Sequence, residues 1–247
     1  MSSIIEIQGV SKSYGGVVAN KDISLSVETG GITGLIGPNG SGKTTLFNSI
    51  VGYHPIDEGS IKFENEEISR FPVQKIARRG LLRTFQQTRI YGAMNCVENM
   101  LISLPHRKMK FLDSFSLNSK SDYEKANRLL EFVGLYEKRL LKAASLSFGQ
   151  QKLLEFAMAL MNEPAALLLD EPTAGINPTL INGLIDRLVR ANREFGITLF
   201  IIEHNMRVIM NMADKIYCLA HGEMLAQGSP DDIQNDPRVI EAYLGAH

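Results

Sequence analysis

One nine-residue stretch, Gly37-Pro38-Asn39-Gly40-Ser41-Gly42-Lys43-Thr44-Thr45, restricts the fold of this chain more than any other. It has the glycine, four residues and Gly-Lys-Thr of a phosphate-binding loop. The flanks agree with that pattern. Ile32-Thr33-Gly34-Leu35-Ile36 reads as a buried strand before it, and Leu46-Phe47 with Ile50-Val51 as a helix after it. In such a loop the glycines let backbone N–H groups close around phosphates, and the helix N-terminus adds positive potential. Lys43 then reaches the β and γ phosphates, and the Thr44 hydroxyl faces Mg²⁺. The alternative is a glycine-rich turn before an ordinary helix. With spacing and both flanks intact, the stretch implies a nucleoside triphosphate with Mg²⁺.

Length and composition narrow the setting. The chain has 247 residues, 44% hydrophobic and 21% charged, which implies a globular core and excludes general disorder. Its net charge is −1 and no run of five basic residues occurs, so no nucleic-acid partner is expected. Cys96 and Cys218 lie far apart, without metal-ligand spacing, and fit reduced, packed thiols. The N-terminus lacks the pattern of a signal peptide, and no apolar run approaches the ~18–20 residues of a membrane span. A soluble chain is expected, reaching a membrane only through a partner.

Ile5 and Ile7, and then Ile23, Leu25 and Val27, alternate with polar residues as half-buried strands do. Between them Ser13-Tyr14-Gly15-Gly16 reads as a loop; its aromatic either stacks on a nucleotide base or packs on the sheet. Ile61-Lys62-Phe63-Glu64 reads as a short strand, and Val73, Ile76 and Ala77 as a helix ending near Gly80. Leu82 to Gln87 is a short extended piece. From Val97 to Leu160 the pattern is helical, with a surface connector expected from Leu104 to Ser121. Ala126, Leu129, Leu130 and Val133 form one stripe, closed by Gly134.

Three further stretches carry chemistry. Ser147 with Gln150 three residues later is a capping box; with Gly149 beside it, the helix start is also an anion site in waiting. The apolar run Ala165 to Leu169 is a buried parallel strand ending in Asp170-Glu171, where open parallel sheets bind ligands. In a phosphate-loop protein Asp170 is the carboxylate on the Mg²⁺ side, and Glu171 can orient or deprotonate a water. After a helix from Asn177-Pro178 to Gly196, whose apolar face starts at Leu180, a second buried strand, Ile197 to Ile202, runs into Glu203-His204. His204 is either a local hydrogen-bonding group or a catalytic one on the same rim. A hairpin across His221-Gly222 and a partly helical tail, Asp231 to Leu244, complete the chain.

Taken together, the loop, Leu146-Ser147-Phe148-Gly149-Gln150, Leu167-Leu168-Leu169-Asp170-Glu171 and His204 resemble, in that order, the nucleotide-binding subunit of ATP-binding cassette (ABC) transporters. The resemblance covers essentially the whole chain. It implies an α/β P-loop NTPase fold: a RecA-like core with an antiparallel β subdomain and an inserted α-helical subdomain. Residues 1–247 are then one nucleotide-binding domain, with 1–86 and 164–247 forming the core and β subdomain and 87–163 the helical insert. By the same resemblance, Tyr14 looks like the aromatic that stacks on adenine. Gln86 looks like the glutamine contacting Mg²⁺ and the water, Glu171 like the catalytic carboxylate, and His204 like the histidine near the γ-phosphate. Ser147, Gly149 and Gln150 look like the signature motif, which in this family touches ATP bound to the opposite subunit.

Two positions depart from the family pattern. Phe148 stands where a signature glycine is common, and Asn177 where many relatives carry an aspartate. Both resemble the subgroup serving branched-chain amino acid importers. So do Ile76-Ala77-Arg78-Arg79-Gly80, Arg83-Thr84-Phe85-Gln86, Ile202-Glu203-His204-Asn205-Met206 and Val239-Ile240-Glu241-Ala242-Tyr243-Leu244-Gly245. The resemblance implies integral-membrane permease subunits, a second ATPase subunit of the same or a paralogous chain and, indirectly, an extracytoplasmic substrate-binding protein. The chain is then peripheral, on the cytoplasmic face of the cell membrane. Similar subunits serve urea or amide uptake and, more distantly, lipopolysaccharide export. A soluble ABC ATPase acting on ribosomes or DNA is the competing class, and the single cassette without heptads or a basic tract disfavours it.

Overall fold

In the computed structural model, which describes residues 2–84, 90–104 and 119–244, the apolar runs and alternations of the sequence become two sheets flanked by helices. In chain order the elements are β1 (Ser3–Tyr14), β2 (Val17–Glu28), β3 (Ile32–Ile36), α1 (Lys43–Ile50), β4 (Glu58–Phe63), β5 (Glu66–Glu67), α2 (Val73–Ala77) and β6 (Leu81–Arg83). There follow α3 (Cys96–Ile102), α4 (Lys120–Phe132), α5 (Phe148–Leu160), β7 (Ala166–Asp170), α6 (Pro178–Phe195) and β8 (Thr198–Ile202). The chain closes with α7 (Met206–Met210), β9 (Lys215–Ala220), β10 (Glu223–Gly228), α8 (Pro230–Gln234) and α9 (Pro237–Leu244).

The chain divides into two compact units. The first comprises Met1–Arg83, Ala165–Pro172 and Leu188–His247, and the second Thr84–Pro164 and Thr173–Arg187. The first unit holds both sheets. An antiparallel sheet runs β2-β1-β4-β5, and a larger sheet runs β10-β9-β3-β8-β7-β6. In the larger sheet β9, β3, β8, β7 and β6 are parallel, and only the edge strand β10 pairs antiparallel. Every residue of β3, β7 and β8 is buried, as continuous apolar strands require when both faces are covered. The apolar faces of the two sheets share a core with α1, from Ile5, Ile7 and Ile23 through Leu46 and Phe47 to Phe200 and Tyr217. Tyr217 accepts a hydrogen bond from Ser26 N and donates one to Ser26 O, so its buried hydroxyl joins β9 to β2 without an unmet polar group.

The second unit is helical. Ser119 caps α4 through a box with Asp122, and Val133 and Gly134 end it with Gly134 at φ 76°. Among the described residues of the whole chain, no helix is long and apolar enough to cross a membrane.

Some sequence expectations are corrected. Tyr14 is the last residue of β1, paired with Val17, rather than a loop residue; register shifts carry the strand past the point where its alternation breaks. Glu64 lies beyond β4, in the turn with Asn65 at positive φ. The connector expected up to Ser121 ends earlier, because Ser119 already caps α4. Its residues 105–118 lie outside those described. Leu180, assigned to the apolar face of α6, is 51% exposed, whereas Leu184, Leu188 and Ala191 are buried.

Phe47 of α1 packs against Phe200 of β8 with ring centroids 4.8 Å apart and planes at 53°. Both rings are buried, so the pair pins the helix that follows the phosphate-loop sequence to the central sheet. Phe47→Ala is expected to lower unfolding free energy by about 3–5 kcal/mol, read by urea denaturation. A loss under 1 kcal/mol contradicts this packing account.

Candidate functional site

Parallel strands all point their carboxyl ends to one rim of the larger sheet, the side on which such sheets bind ligands. β3 ends at Ile36 and opens into Gly37–Thr45. β7 ends at Asp170, in register with Ile202 at the end of β8. Glu171 follows directly on β7, His204 stands two residues beyond β8, and Arg83 closes β6 in register with Leu168. Residues far apart in sequence thus reach one rim because their strands are parallel neighbours.

The loop's shape depends on two glycines. Gly37 has φ 143°, and a Cβ there would sit 2.1 Å from the Leu219 carbonyl oxygen. Gly42 has φ 96°, and a Cβ there would meet Ala19 O at 2.3 Å. Neither position can take a side chain without moving backbone. Asn20 steadies the same turn, its Nδ2 donating to Gly42 O at 3.2 Å. Gly42 begins α1 with no side-chain cap and no acid in the first turn, so the helix dipole and its N–H groups suit an anion. Asn39, Gly40 and Thr44 are exposed, Pro38 and Thr45 half-buried.

Lys43 is only 5% exposed. Its Nζ donates to Gly37 O at 2.8 Å, Pro38 O at 2.9 Å and Ser41 Oγ at 3.2 Å. Burial holds its pKa below the usual lysine value, opposed by the negative charges of Glu171 and Asp170.

Asp170 is 2% exposed. Its Oδ2 accepts from Arg83 Nη2 at 2.6 Å, and Arg83 Nη1 donates to Asn48 Oδ1 at 2.5 Å. Asp170 Oδ1 is buried with no hydrogen-bond partner among the described residues. An oxygen so placed is costly unless a ligand meets it. Mg²⁺ takes one or two carboxylates together with substrate phosphates, so Asp170 and the exposed Thr44 hydroxyl fit that ion's donor set. Beside them Glu171 Oε1 and His204 Nε2 are 2.7 Å apart. Glu171 holds a left-handed backbone at φ 50°, a strain of about 1–3 kcal/mol for a non-glycine residue, and its N–H donates to Ile202 O at 2.9 Å. A carboxylate fixed at both backbone and side chain can orient a water and accept its proton.

Tyr14 sits apart from these acids in the chain, at the end of β1. Its ring is 43% exposed, meets the His54 ring edge-on at 5.6 Å, and lies 5.4 Å from Lys12 Nζ. Ser147, Gly149 and Gln150 belong to the second unit. The Ser147 Oγ accepts from Gln150 N at 3.4 Å, and Ser147 N donates to Gln150 Oε1 at 3.1 Å, closing the capping box at the start of α5. Phe148 leaves its ring 45% exposed and leans on Gly175, while Asn177 Oδ1 accepts from Thr179 N and Oγ1. Gln86 lies outside the described residues. Sequence reasoning missed Arg83 as the partner of Asp170. The available signal was a cation closing a short apolar strand.

The family model described as "ABC transporter" matches residues 20–174, and one described as "Branched-chain amino acid ATP-binding cassette transporter" matches residues 223–247. The chain is 38% identical to the high-affinity branched-chain amino acid transport ATP-binding protein BraF of Pseudomonas aeruginosa, across 98% of both chains. Its fold is similar to the ADP conformation of MJ1267, an ATP-binding cassette of an ABC transporter, with TM-score 0.90, 34% identity and coverage of 99% of this chain and 100% of that one. It is also similar to the ATP-binding cassette MJ0796, solved as a dimer bound to ADP and Pi, with TM-score 0.77, 25% identity and coverage of 92% and 98%.

Because the folded pKa of Lys43 is depressed, the unfolded chain binds more protons between that value and 10.5. Stability contributed by this group therefore rises with pH through that window and is lost as pH falls. Lys43→Met should remove this part of the slope in urea melts run from pH 8 to 10.5. An unchanged slope contradicts the burial of the ammonium.

Proposed function

The chain belongs to the ABC transporter family, and we propose that it is the ATP-hydrolysing subunit of a membrane importer for branched-chain amino acids. The observation that carries the catalytic part is the 2.7 Å contact of Glu171 with His204, on the rim that also holds Lys43 and Asp170. ATP is the substrate. Its triphosphate lies on Gly37–Thr45, where backbone N–H groups and the start of α1 receive it. Lys43 exchanges its loop carbonyls for β and γ oxygens, a swap between equivalent acceptors in a site already desolvated.

Thr44, Asp170 and Gln86 would hold Mg²⁺, which neutralises charge on the phosphates when bound. Glu171 orients the attacking water and receives its proton, and His204 fixes the direction of that carboxylate beside the γ-phosphate. Tyr14 offers its ring to adenine. Ser147, Gly149 and Gln150 bind ATP held by a second ATPase subunit, this chain or a paralogue. The likeness to MJ0796, solved as a dimer bound to ADP and Pi, supports the pairing of two such subunits. ATP then joins two subunits, and its hydrolysis releases them.

The remaining assignments concern the assembly. Residues 1–86 and 164–247 act as the ATP core, and the insert 87–163 docks on integral-membrane permeases at the cytoplasmic face. A substrate-binding protein delivers cargo to those permeases from the other side. The amino-acid cargo is supported by the likeness to BraF and by the match of residues 223–247.

Glu171→Gln should keep ATP binding, lower turnover by about 10²–10⁴-fold and accumulate an ATP-dependent dimer on size-exclusion chromatography. Hydrolysis at the parent rate removes Glu171 from its assigned role. For the cargo, the chain would be purified gently with its membrane partners and reconstituted in vesicles. ATP-dependent leucine, isoleucine or valine uptake is expected, and uptake of urea alone contradicts the assignment.

A further inference from the structure

Gly37 is held at both of its backbone polar groups. Its carbonyl accepts from Lys43 Nζ at 2.8 Å, within the loop. Its N–H donates to the Tyr243 hydroxyl, also at 2.8 Å, across more than two hundred residues of sequence. The pairing of β3 with β9 ends at Ile36 opposite Cys218, so the Gly37 N–H has left the ladder and finds its acceptor in a side chain.

Tyr243 stands one turn after Val239, the buried anchor of α9, so docking of that helix aims the phenol at the loop. Burial pushes its pKa up to about 12, and burial likewise raises the neighbouring Cys218 thiol to about 11. Both groups are therefore neutral at cellular pH, and the bond to Gly37 adds no charge beneath the Lys43 ammonium. Val239 and Tyr243 of α9 also line a cavity of about 530 Å³, shared with Met206, Arg207 and Met210 of α7. Apolar packing through Val239 seats the helix, and the hydroxyl adds a directional tie to the loop.

We propose that Tyr243 is a positioning residue of the nucleotide site: its hydroxyl fixes the entry to the phosphate loop and makes the C-terminal helix part of ATP binding. The proposal rests on the reading of Gly37–Thr45 as the ATP loop. It divides the work at Gly37. Lys43 leaves the carbonyl when phosphate arrives, whereas the Tyr243 bond stays and keeps the loop in one shape before and after. Without it the free loop samples other shapes, and apparent ATP affinity falls by the fraction of time it is misplaced. Once ATP is bound the loop geometry is restored, so the chemical step is unaffected.

Tyr243→Phe in the full chain keeps the ring and removes only the hydroxyl. Expected are a 5–30-fold rise in both Kd and KM for ATP, kcat within twofold of the parent, and at least tenfold faster hydrogen exchange at the Gly37 amide without nucleotide. ATP binding and Gly37 exchange both within twofold of the parent overturn the proposal, as does a fall in kcat at unchanged KM. If the variant does not fold, the parent decides. A Gly37 amide strongly protected without nucleotide supports the tie, and exchange at the unprotected rate overturns it. The exchange reading uses no ATP, so a parent that fails to bind ATP overturns the proposed function and is distinguishable from failure of the tie.

Discussion

A lysine ammonium kept almost wholly out of water is the constraint from which the rest of the site follows. Lys43 loses hydration and recovers it from two loop carbonyls and a serine hydroxyl, which exist at the right distance only because the loop doubles back over its own side chain. That reversal requires glycine at Gly37 and Gly42, where a Cβ would meet backbone oxygen. It also requires the strand before it and the helix after it to be fixed, and the shared core around Phe47, Phe200 and Leu35 fixes them. A charge solvated by carbonyls can pass to phosphate oxygens without first being stripped of water. The loop is therefore organised before its ligand arrives.

Negative charge facing that ammonium is placed by sheet topology rather than by sequence proximity. β7 and β8 are adjacent and in register, so Asp170, Glu171 and His204 emerge on one rim although two segments supply them. Arg83, from the neighbouring strand, neutralises one oxygen of Asp170, and the other has no hydrogen-bond partner among the described residues. A buried carboxylate with one oxygen held and one waiting suits a cation delivered with its substrate. Glu171, in a strained backbone conformation, is held against His204. Strain at that position is consistent with a residue kept for chemistry.

Much of this was legible in the chain because the decisive elements are local and extreme in pattern. β3, β7 and β8 are apolar throughout since both faces are covered, and the capping box at Ser147 and the turn at His221-Gly222 follow from short-range hydrogen bonding. Tyr14 was misread because strand pairing extends through bulges that break the two-residue period. Leu180 was misread because an apolar residue at helical spacing still stays exposed where no neighbour covers it. Arg83 with Asp170, and Tyr243 with Gly37, join residues distant in sequence through single hydrogen bonds. Such bonds leave no periodic trace, and only the folded arrangement brings their partners together.

The most direct measurement is a crystal structure of this chain with Mg²⁺ and a non-hydrolysable ATP analogue. The account predicts Lys43 Nζ on β and γ phosphate oxygens instead of the Gly37 and Pro38 carbonyls, Asp170 Oδ1 facing the ion, and Glu171 with His204 beside the γ-phosphate. A triphosphate bound away from residues 37–45, or a Lys43 still seated on its loop carbonyls with the analogue present, contradicts it.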